Sequence, residues 1–245
     1  KAISKYGVGM DNIDLKAAKE HHIRVTNVPA ANANAVADLT FGLMLDVARK
    51  LSYGASRVKK GFWERLIGVD VYAKTLGLVG FGTIAQKVAS RARGFEMKVL
   101  AYDPYLTALP DDFPHVKLVS FAEVLRESDF LSIHIPLSDE TRNMVDRQQL
   151  AMMKKGSFLI NTARGGIVNE NALSEYLKNG HLAGAGLDVT EVEPPDGSPL
   201  LTLDNVTIVP HIGMYSKEAL NIVSLVCAQN VVRMFKNEPL ENLIV

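Results

Sequence analysis

Three residues carry the side chains of a proton-coupled reaction on an acid substrate: Arg164 in NTARGG, Glu193 in EVEPPDG and His211 in VPHIG. Histidine is the side chain whose proton is mobile near neutral pH. A carboxylate beside it fixes the tautomer and raises its pKa. An arginine grips a carboxylate through two parallel N–H bonds. A fourth feature, GFGTIA at 80–85, has the form G-x-G-x-x-A. Gly80 suits a tight strand-to-helix turn, Gly82 the close approach of backbone to a pyrophosphate, and Ala85 close helix–strand packing. Thr83 and Ile84 then begin a helix whose first amides face the phosphates. Asp103 stands 21 residues after Gly82. A carboxylate there accepts from adenosine ribose hydroxyls and repels a 2′-phosphate, which favours NAD over NADP. The set suits hydride transfer between a nicotinamide and a 2-keto or 2-hydroxy acid. Each member alone also has an ordinary reading. Arg164 suits a surface charge, His211 a structural histidine, Glu193 a solvated turn residue, and Asp103 the start of a turn in YDPY. The glycine loop alone suits a plain tight turn.

The elements that must position these residues are legible as alternating patterns. Short runs rich in Val, Ile and Leu predict strands at 76–80, 98–103, 130–136, 157–163, 182–189 and 206–211. Continuous apolar runs of this length are what strands buried on both faces show. Helices are expected between them at 83–93, 121–128, 146–153 and 170–180, with Ser120 and Glu123 spaced as a capping box. The fold class is therefore α/β, a doubly wound parallel sheet. In such sheets ligands bind beyond the carboxyl ends of the strands. Every strand here ends in polar or special-backbone residues: Gly80–Phe81–Gly82, Asp103, His134–Ile135–Pro136, Asn161 to Gly166, Asp188, and Pro210–His211.

Two flanking pieces differ. Residues 34–50 and 216–238 read as long helices, and 1–31 as a strand–helix–strand unit too small to fold alone. The expected organisation is 1–31 as the C-terminal part of a substrate domain, 32–215 as a Rossmann-type NAD domain, and 216–245 as a helix returning to the first. The opening KAISKYGVG lacks Met and runs from a strand into a turn, so residues are expected to precede it.

Bulk properties narrow the function classes. Lys+Arg and Asp+Glu balance at 27 each, so no net basic field points to nucleic acid or an anionic membrane. No apolar run reaches the roughly 18 residues of a membrane span. The lone Cys227, in IVSLVCAQNVV, excludes an intrachain disulfide and is read as a small buried hydrophobe in a reducing, cytoplasmic setting. No metal-ligating cluster stands out.

The ordered motifs GVGMDNIDL (7–15), TNVPAANANAVADLT (26–40), LGLVGFGTIA (76–85), HIPLSDETRNMV (134–145), INTARGGIVNENAL (160–173), GLDVTEVEPP (186–195) and VPHIG (209–213) resemble the D-isomer-specific 2-hydroxyacid dehydrogenases. The likeness is greatest to the D-3-phosphoglycerate dehydrogenase branch, which serves serine biosynthesis. The resemblance implies NAD as cofactor, an incomplete flavodoxin-like substrate domain, and a small 2-hydroxy or 2-keto acid as substrate. It implies a homodimer through the NAD domain, with LSYGASRVKKGFWER (51–65) similar to the family's dimer arm. Trp63 in that segment also suits simple core packing.

Residue by residue, the resemblance implies that Arg164 binds the substrate carboxylate and carbonyl, and that His211 is the acid/base with Glu193 its partner. Gly82, Thr83 and Ile84 match the pyrophosphate loop and Asp103 the ribose-binding acid. Ile135, Pro136, Thr162, Ala163, Asp188 and Gly213 fall where relatives line the cofactor, Asp188 on the nicotinamide amide. Val8 and Gly9 fall on a loop whose backbone faces the substrate carboxylate. Departures are Ala85 for the commoner Gly, Asp38 for Glu, and Met214–Tyr215 for small residues. Glyoxylate/hydroxypyruvate reductase and D-lactate-type activities are alternatives, and an NAD(H)-sensing co-repressor is an alternative of another class. Glu193, where formate dehydrogenases carry Gln, argues against that branch.

Overall fold

The apolar runs of the sequence form strands and the patterned stretches between them form helices. The computed structural model describes all 245 residues. Its first part contains β1 (Ala2–Ser4), α1 (Leu15–Glu20), β2 (Arg24–Thr26), α2 (Ala33–Arg49) and α3 (Leu51–Lys59). Then follow β3 (Thr75–Val79), α4 (Thr83–Ala92), β4 (Lys98–Tyr102), β5 (Val116–Leu118), α5 (Phe121–Glu127) and β6 (Phe130–Ile133). The last part contains α6 (Arg147–Met152), β7 (Ser157–Asn161), α7 (Glu170–Lys178), β8 (Leu182–Leu187), β9 (Val206–Ile208) and α8 (Lys217–Lys236). No helix is long and apolar enough to cross a membrane.

The chain divides into two compact units, one of Ala37–Ile212 and one of Lys1–Val36 with Gly213–Val245. The larger unit holds a seven-stranded sheet in the order β5-β4-β3-β6-β7-β8-β9, parallel throughout. This is the doubly wound, Rossmann-type arrangement, with its topological switch point between β3 and β6. Alternate residues serve opposite faces. Leu76, Leu78, Val99, Ala101 and Ile160 pack with Val88, Ala89 and Ala92 of α4 and Phe41 and Met44 of α2. Val79, Leu100, Leu131, Ile133 and Leu159 pack on the other side with Val124 and Leu125 of α5, Leu150 of α6 and Leu173 and Leu177 of α7.

The strands align so that one row of Cα partners crosses the sheet: Tyr102, Val79, Ile133, Asn161, Leu187 and Ile208. Each predicted strand stops one to three residues sooner than its apolar pattern, on this same row. The residues beyond it leave the ladder for backbone reasons. Gly80 has φ +92°, and Pro136 and Pro210 have no N–H to donate. β5 was not foreseen because three residues among turns carry no periodic signal.

Other local expectations were corrected. Ser120 accepts from the Glu123 N–H, but the Glu123 carboxylate pairs with Lys117 at 2.9 Å, so the box there is half closed. The complete box is at α6, where Asp146 and Gln149 serve each other's backbone. Trp63 is 85% exposed, which sets aside core packing. Cys227 is only partly buried, and its thiol donates to the Lys5 carbonyl at 3.3 Å.

Asp46, buried on α2, fixes two elements at once. It accepts from the Ser52 N–H in the first turn of α3 and from the Thr207 hydroxyl on β9, both at 2.6 Å. β9 is an edge strand that leads directly to His211. Asp46→Ala strands both donors, and is expected to lower the unfolding free energy by about 2–3 kcal/mol. Urea titration checks this as a lower midpoint with an unchanged slope.

The smaller unit has a parallel pair, Ala2↔Arg24 to Ser4↔Thr26. Asp14 caps α1 by accepting from the Ala17 N–H at 2.8 Å. Asn27 donates to the Val8 carbonyl at 2.9 Å and so shapes the turn that carries Val8 and Gly9.

Candidate active site

The residues just past the shared row are those singled out for chemistry. At the switch point, β3 ends in Gly80, whose missing side chain is a steric requirement. A Cβ there would lie 2.6 Å from the His134 carbonyl oxygen. Gly82 has the opposite surroundings. It begins α4 with φ −72° and no side-chain cap, and a Cβ there would meet nothing within 4 Å. Thr83 is exposed and Ile84 half-buried. The first-turn N–H groups of α4 therefore face an open cradle, a ready anion site at the positive end of a helix. Ala85 is wholly buried, as its packing role requires.

Asp103 joins this loop directly. One carboxylate oxygen accepts from the Phe81 N–H at 2.9 Å and the other from the Tyr105 N–H at 3.0 Å. The turn reading and the loop reading of Asp103 are thus both realised. A carboxylate has about four acceptor positions, so two backbone bonds leave capacity for two hydroxyls. The donors of the glycine loop and the acceptor of Asp103 fit the pyrophosphate and ribose of a dinucleotide. Ile135 is half-buried beside the cradle, its Cγ2 2.8 Å from where a Gly80 Cβ would lie, and Pro136 is exposed.

Two histidines end strands, and their surroundings differ sharply. His134 bonds Ser132 Oγ through Nε2 at 2.9 Å, and desolvation pushes its pKa down to about 3. It is neutral at neutral pH and unsuited to proton donation. His211 is exposed, and its Nδ1 lies 2.8 Å from Glu193 Oε2. Its backbone has φ +51°, a left-handed conformation sparsely used by side-chain-bearing residues and found at functional sites. Asp188, 2% exposed, holds this turn by accepting from the Ile212 N–H at 2.6 Å. That anchoring role was not foreseen from the sequence, where Asp188 had been read only as a cofactor contact.

Arg164 follows β7. Asn161 organises its loop, donating to the Arg164 carbonyl at 2.9 Å and accepting from the Ala163 N–H at 3.0 Å. The Arg164 guanidinium donates to the Ala163 carbonyl at 2.7 Å. Thr162 is buried and its hydroxyl meets that of Thr40 at 3.1 Å. Asp38, in place of Glu, still reaches Arg91 at 2.6 Å. Arg164, Glu193 and His211 thus follow three consecutive strands, β7, β8 and β9. Glu193 and His211 are in contact, as are Asp103 and the glycine loop. Val8, Gly9 and Gly213 lie in the smaller compact unit.

Residues 41–213 match the model of the D-isomer specific 2-hydroxyacid dehydrogenase NAD-binding domain. A D-3-phosphoglycerate dehydrogenase of Methanocaldococcus jannaschii is 42% identical over all of this chain, which spans 47% of that relative's length. A hydroxypyruvate reductase of Thermotoga maritima is 45% identical over 94% of this chain and 76% of its own. The crystal structure of D-lactate dehydrogenase with NAD+ from Lactobacillus jensenii superposes with a TM-score of 0.87 at 31% identity, covering 100% of this chain and 78% of that one. With the parallel sheet, the glycine cradle and the His211–Glu193 pair in place, the chain belongs to the D-isomer specific 2-hydroxyacid dehydrogenase family.

Proposed function

We propose that the protein is an NAD-dependent oxidoreductase that interconverts a D-2-hydroxy acid and its 2-keto acid, with 3-phosphoglycerate as substrate. The contact of His211 Nδ1 with Glu193 Oε2 at 2.8 Å carries the acid/base reading, and the 42% identity to the M. jannaschii D-3-phosphoglycerate dehydrogenase supports the substrate. Bound NADH would supply the hydride to the keto carbon. Because Nδ1 is engaged by Glu193, Nε2 is the atom of His211 that holds the proton for the carbonyl oxygen. Glu193 holds Nδ1, which fixes the tautomer and orientation of the neutral ring and leaves Nε2 for the substrate. Arg164 orients the substrate carboxylate through its planar fork. Orientation and proton donation each lower the barrier, the latter by about 10²–10⁴-fold. Gly82, Thr83 and Ile84 would hold the pyrophosphate and Asp103 the ribose. Ile135, Pro136, Thr162, Ala163, Asp188 and Gly213 are assigned to the rest of the cofactor, and Val8 and Gly9 to the substrate carboxylate.

Hydroxypyruvate is the second substrate reading, favoured by the 45% identity to the T. maritima reductase. Homodimerisation through the larger unit is supported by the apolar exposure of Trp63 at 85% and Ile67 at 88%, with Phe62 and Val69 beside them. A cytoplasmic setting is supported by the single, unpaired cysteine.

The test is NADH oxidation with phosphohydroxypyruvate, hydroxypyruvate, glyoxylate and pyruvate. The highest kcat/KM is expected for phosphohydroxypyruvate. A higher value for hydroxypyruvate selects the second reading, and oxidation with none of the four overturns the enzymatic one. Arg164→Ala is expected to raise KM and lower kcat, for a loss of about 10–10²-fold in kcat/KM. An unchanged KM counts against the carboxylate grip.

A further inference from the structure

We infer that Glu170 is the positioning residue that holds Glu193 against His211, an inference that rests on the proposed acid/base role of that pair. Glu193 sits on an exposed loop after β8, where a side chain is not held by packing. Both ends of that loop are tied to one carboxylate. Glu170 Oε1 accepts from the Glu191 N–H at 2.6 Å, and Glu170 Oε2 accepts from the Ser198 hydroxyl at 2.7 Å. The six residues between these anchors, 192–197, include Glu193.

The interior of the loop turns on itself. The Thr190 hydroxyl donates to the Val192 carbonyl at 2.8 Å and the Ser198 N–H to the Pro195 carbonyl at 3.0 Å. Fixing Glu191 and Ser198 therefore fixes the position from which Glu193 reaches the imidazole.

Glu170 is itself well anchored. It is the first residue of α7, where a carboxylate is favoured by the helix dipole, and Asn169 caps the helix by accepting from the Ala172 N–H at 3.0 Å. The chain from Arg164 to Glu170 is short, so one segment carries the arginine and clamps the loop of the glutamate. Gly165 makes the approach possible, because a Cβ on it would lie 1.9 Å from the Thr190 carbonyl oxygen. Glu170 touches no reacting atom in this scheme; its effect passes through Glu193.

The test is a double-mutant cycle on kcat with the substrate that the wild-type protein turns over best. Glu170→Ala is expected to lower kcat about tenfold, with the KM for NADH nearly unchanged. Glu193→Ala is expected to lower it about 10²-fold. The double variant should match Glu193→Ala alone, because the clamp then has nothing to position. Glu170→Gln keeps an acceptor for Glu191 and can donate to Ser198 Oγ, so it should restore most of the loss. Ser198→Ala removes one tie and should show a smaller defect of the same kind, which serves if Glu170→Ala melts early.

Losses that multiply in the double variant, or wild-type kcat in both Glu170→Ala and Ser198→Ala, overturn the inference. If Glu193→Ala and His211→Ala both turn over normally, it is the acid/base reading that fails, and the cycle reports that separately.

Discussion

On the proposed mechanism, a His211→Ala variant is expected to fold, to bind NADH as the wild type does, and to lose at least about 10²-fold in turnover of a 2-keto acid. The separation of binding from turnover follows from where His211 stands. Its side chain is half exposed and its ring contact is to Glu193, so truncation opens no cavity in either face of the sheet. The glycine cradle and Asp103 lie at β3 and β4, while His211 follows β9 at the far edge. Cofactor affinity, read by NADH fluorescence, should therefore change little. Turnover should collapse because His134, the other histidine at a strand end, is held neutral by desolvation and cannot substitute. Alanine is less at ease than histidine at a φ of +51°, but the bond from Ile212 N–H to buried Asp188 is independent of the side chain at 211, so the turn should persist. Normal turnover in this variant would remove His211 from the mechanism and leave only a cofactor-binding fold.

The sequence made some parts of this arrangement legible and hid others for physical reasons. Strands buried on both faces are continuous apolar runs, so six of the seven in the larger sheet were visible, and β5 was too short to show a period. Helix caps were half legible: Ser120 caps as its spacing implies, but Glu123 prefers Lys117, which spacing along the chain does not reveal. Gly80, Asp103, Asp188 and His211 could be named because they closely follow strand ends, which a parallel sheet brings onto one row, whereas Glu193, six residues past β8, stood out only by its chemistry beside a histidine. What could not be read was the second duty of the same side chains. Asp188 anchors the His211 turn, Asp103 ties down the glycine loop, and Glu170, legible only as a helix start, bonds Glu191 and Ser198. These duties join residues 21 to 28 positions apart. Only the folded sheet sets those pairs side by side. Trp63 was ambiguous for a related reason: an aromatic residue reads alike in a core and on an exposed face.

Gly165→Ala and Gly82→Ala, chemically the same change, are expected to fail in opposite ways. A Cβ at Gly165 would lie 1.9 Å from the Thr190 oxygen, 2.3 Å from the Thr190 carbonyl carbon and 2.8 Å from the Glu191 nitrogen. All three are backbone atoms, so no rotamer change relieves the overlap and one of the two loops must move. Thr190 and Glu191 are bonded to Glu193 and Glu170, which means that any movement reaches the His211 pair. The expected result is a loss of about 3 kcal/mol in stability together with a fall in turnover. At Gly82 the same methyl enters open space with a backbone that alanine adopts freely. Gly82→Ala should therefore melt close to the wild type, yet bind NADH more weakly, because the methyl occupies the surface on which the pyrophosphate is expected to lie. Thermal unfolding and NADH titration of the two variants separate the effects. Equal melting points would show that the loop of Arg164 does not press on the loop of Glu193. An unchanged NADH affinity in Gly82→Ala would place the pyrophosphate elsewhere.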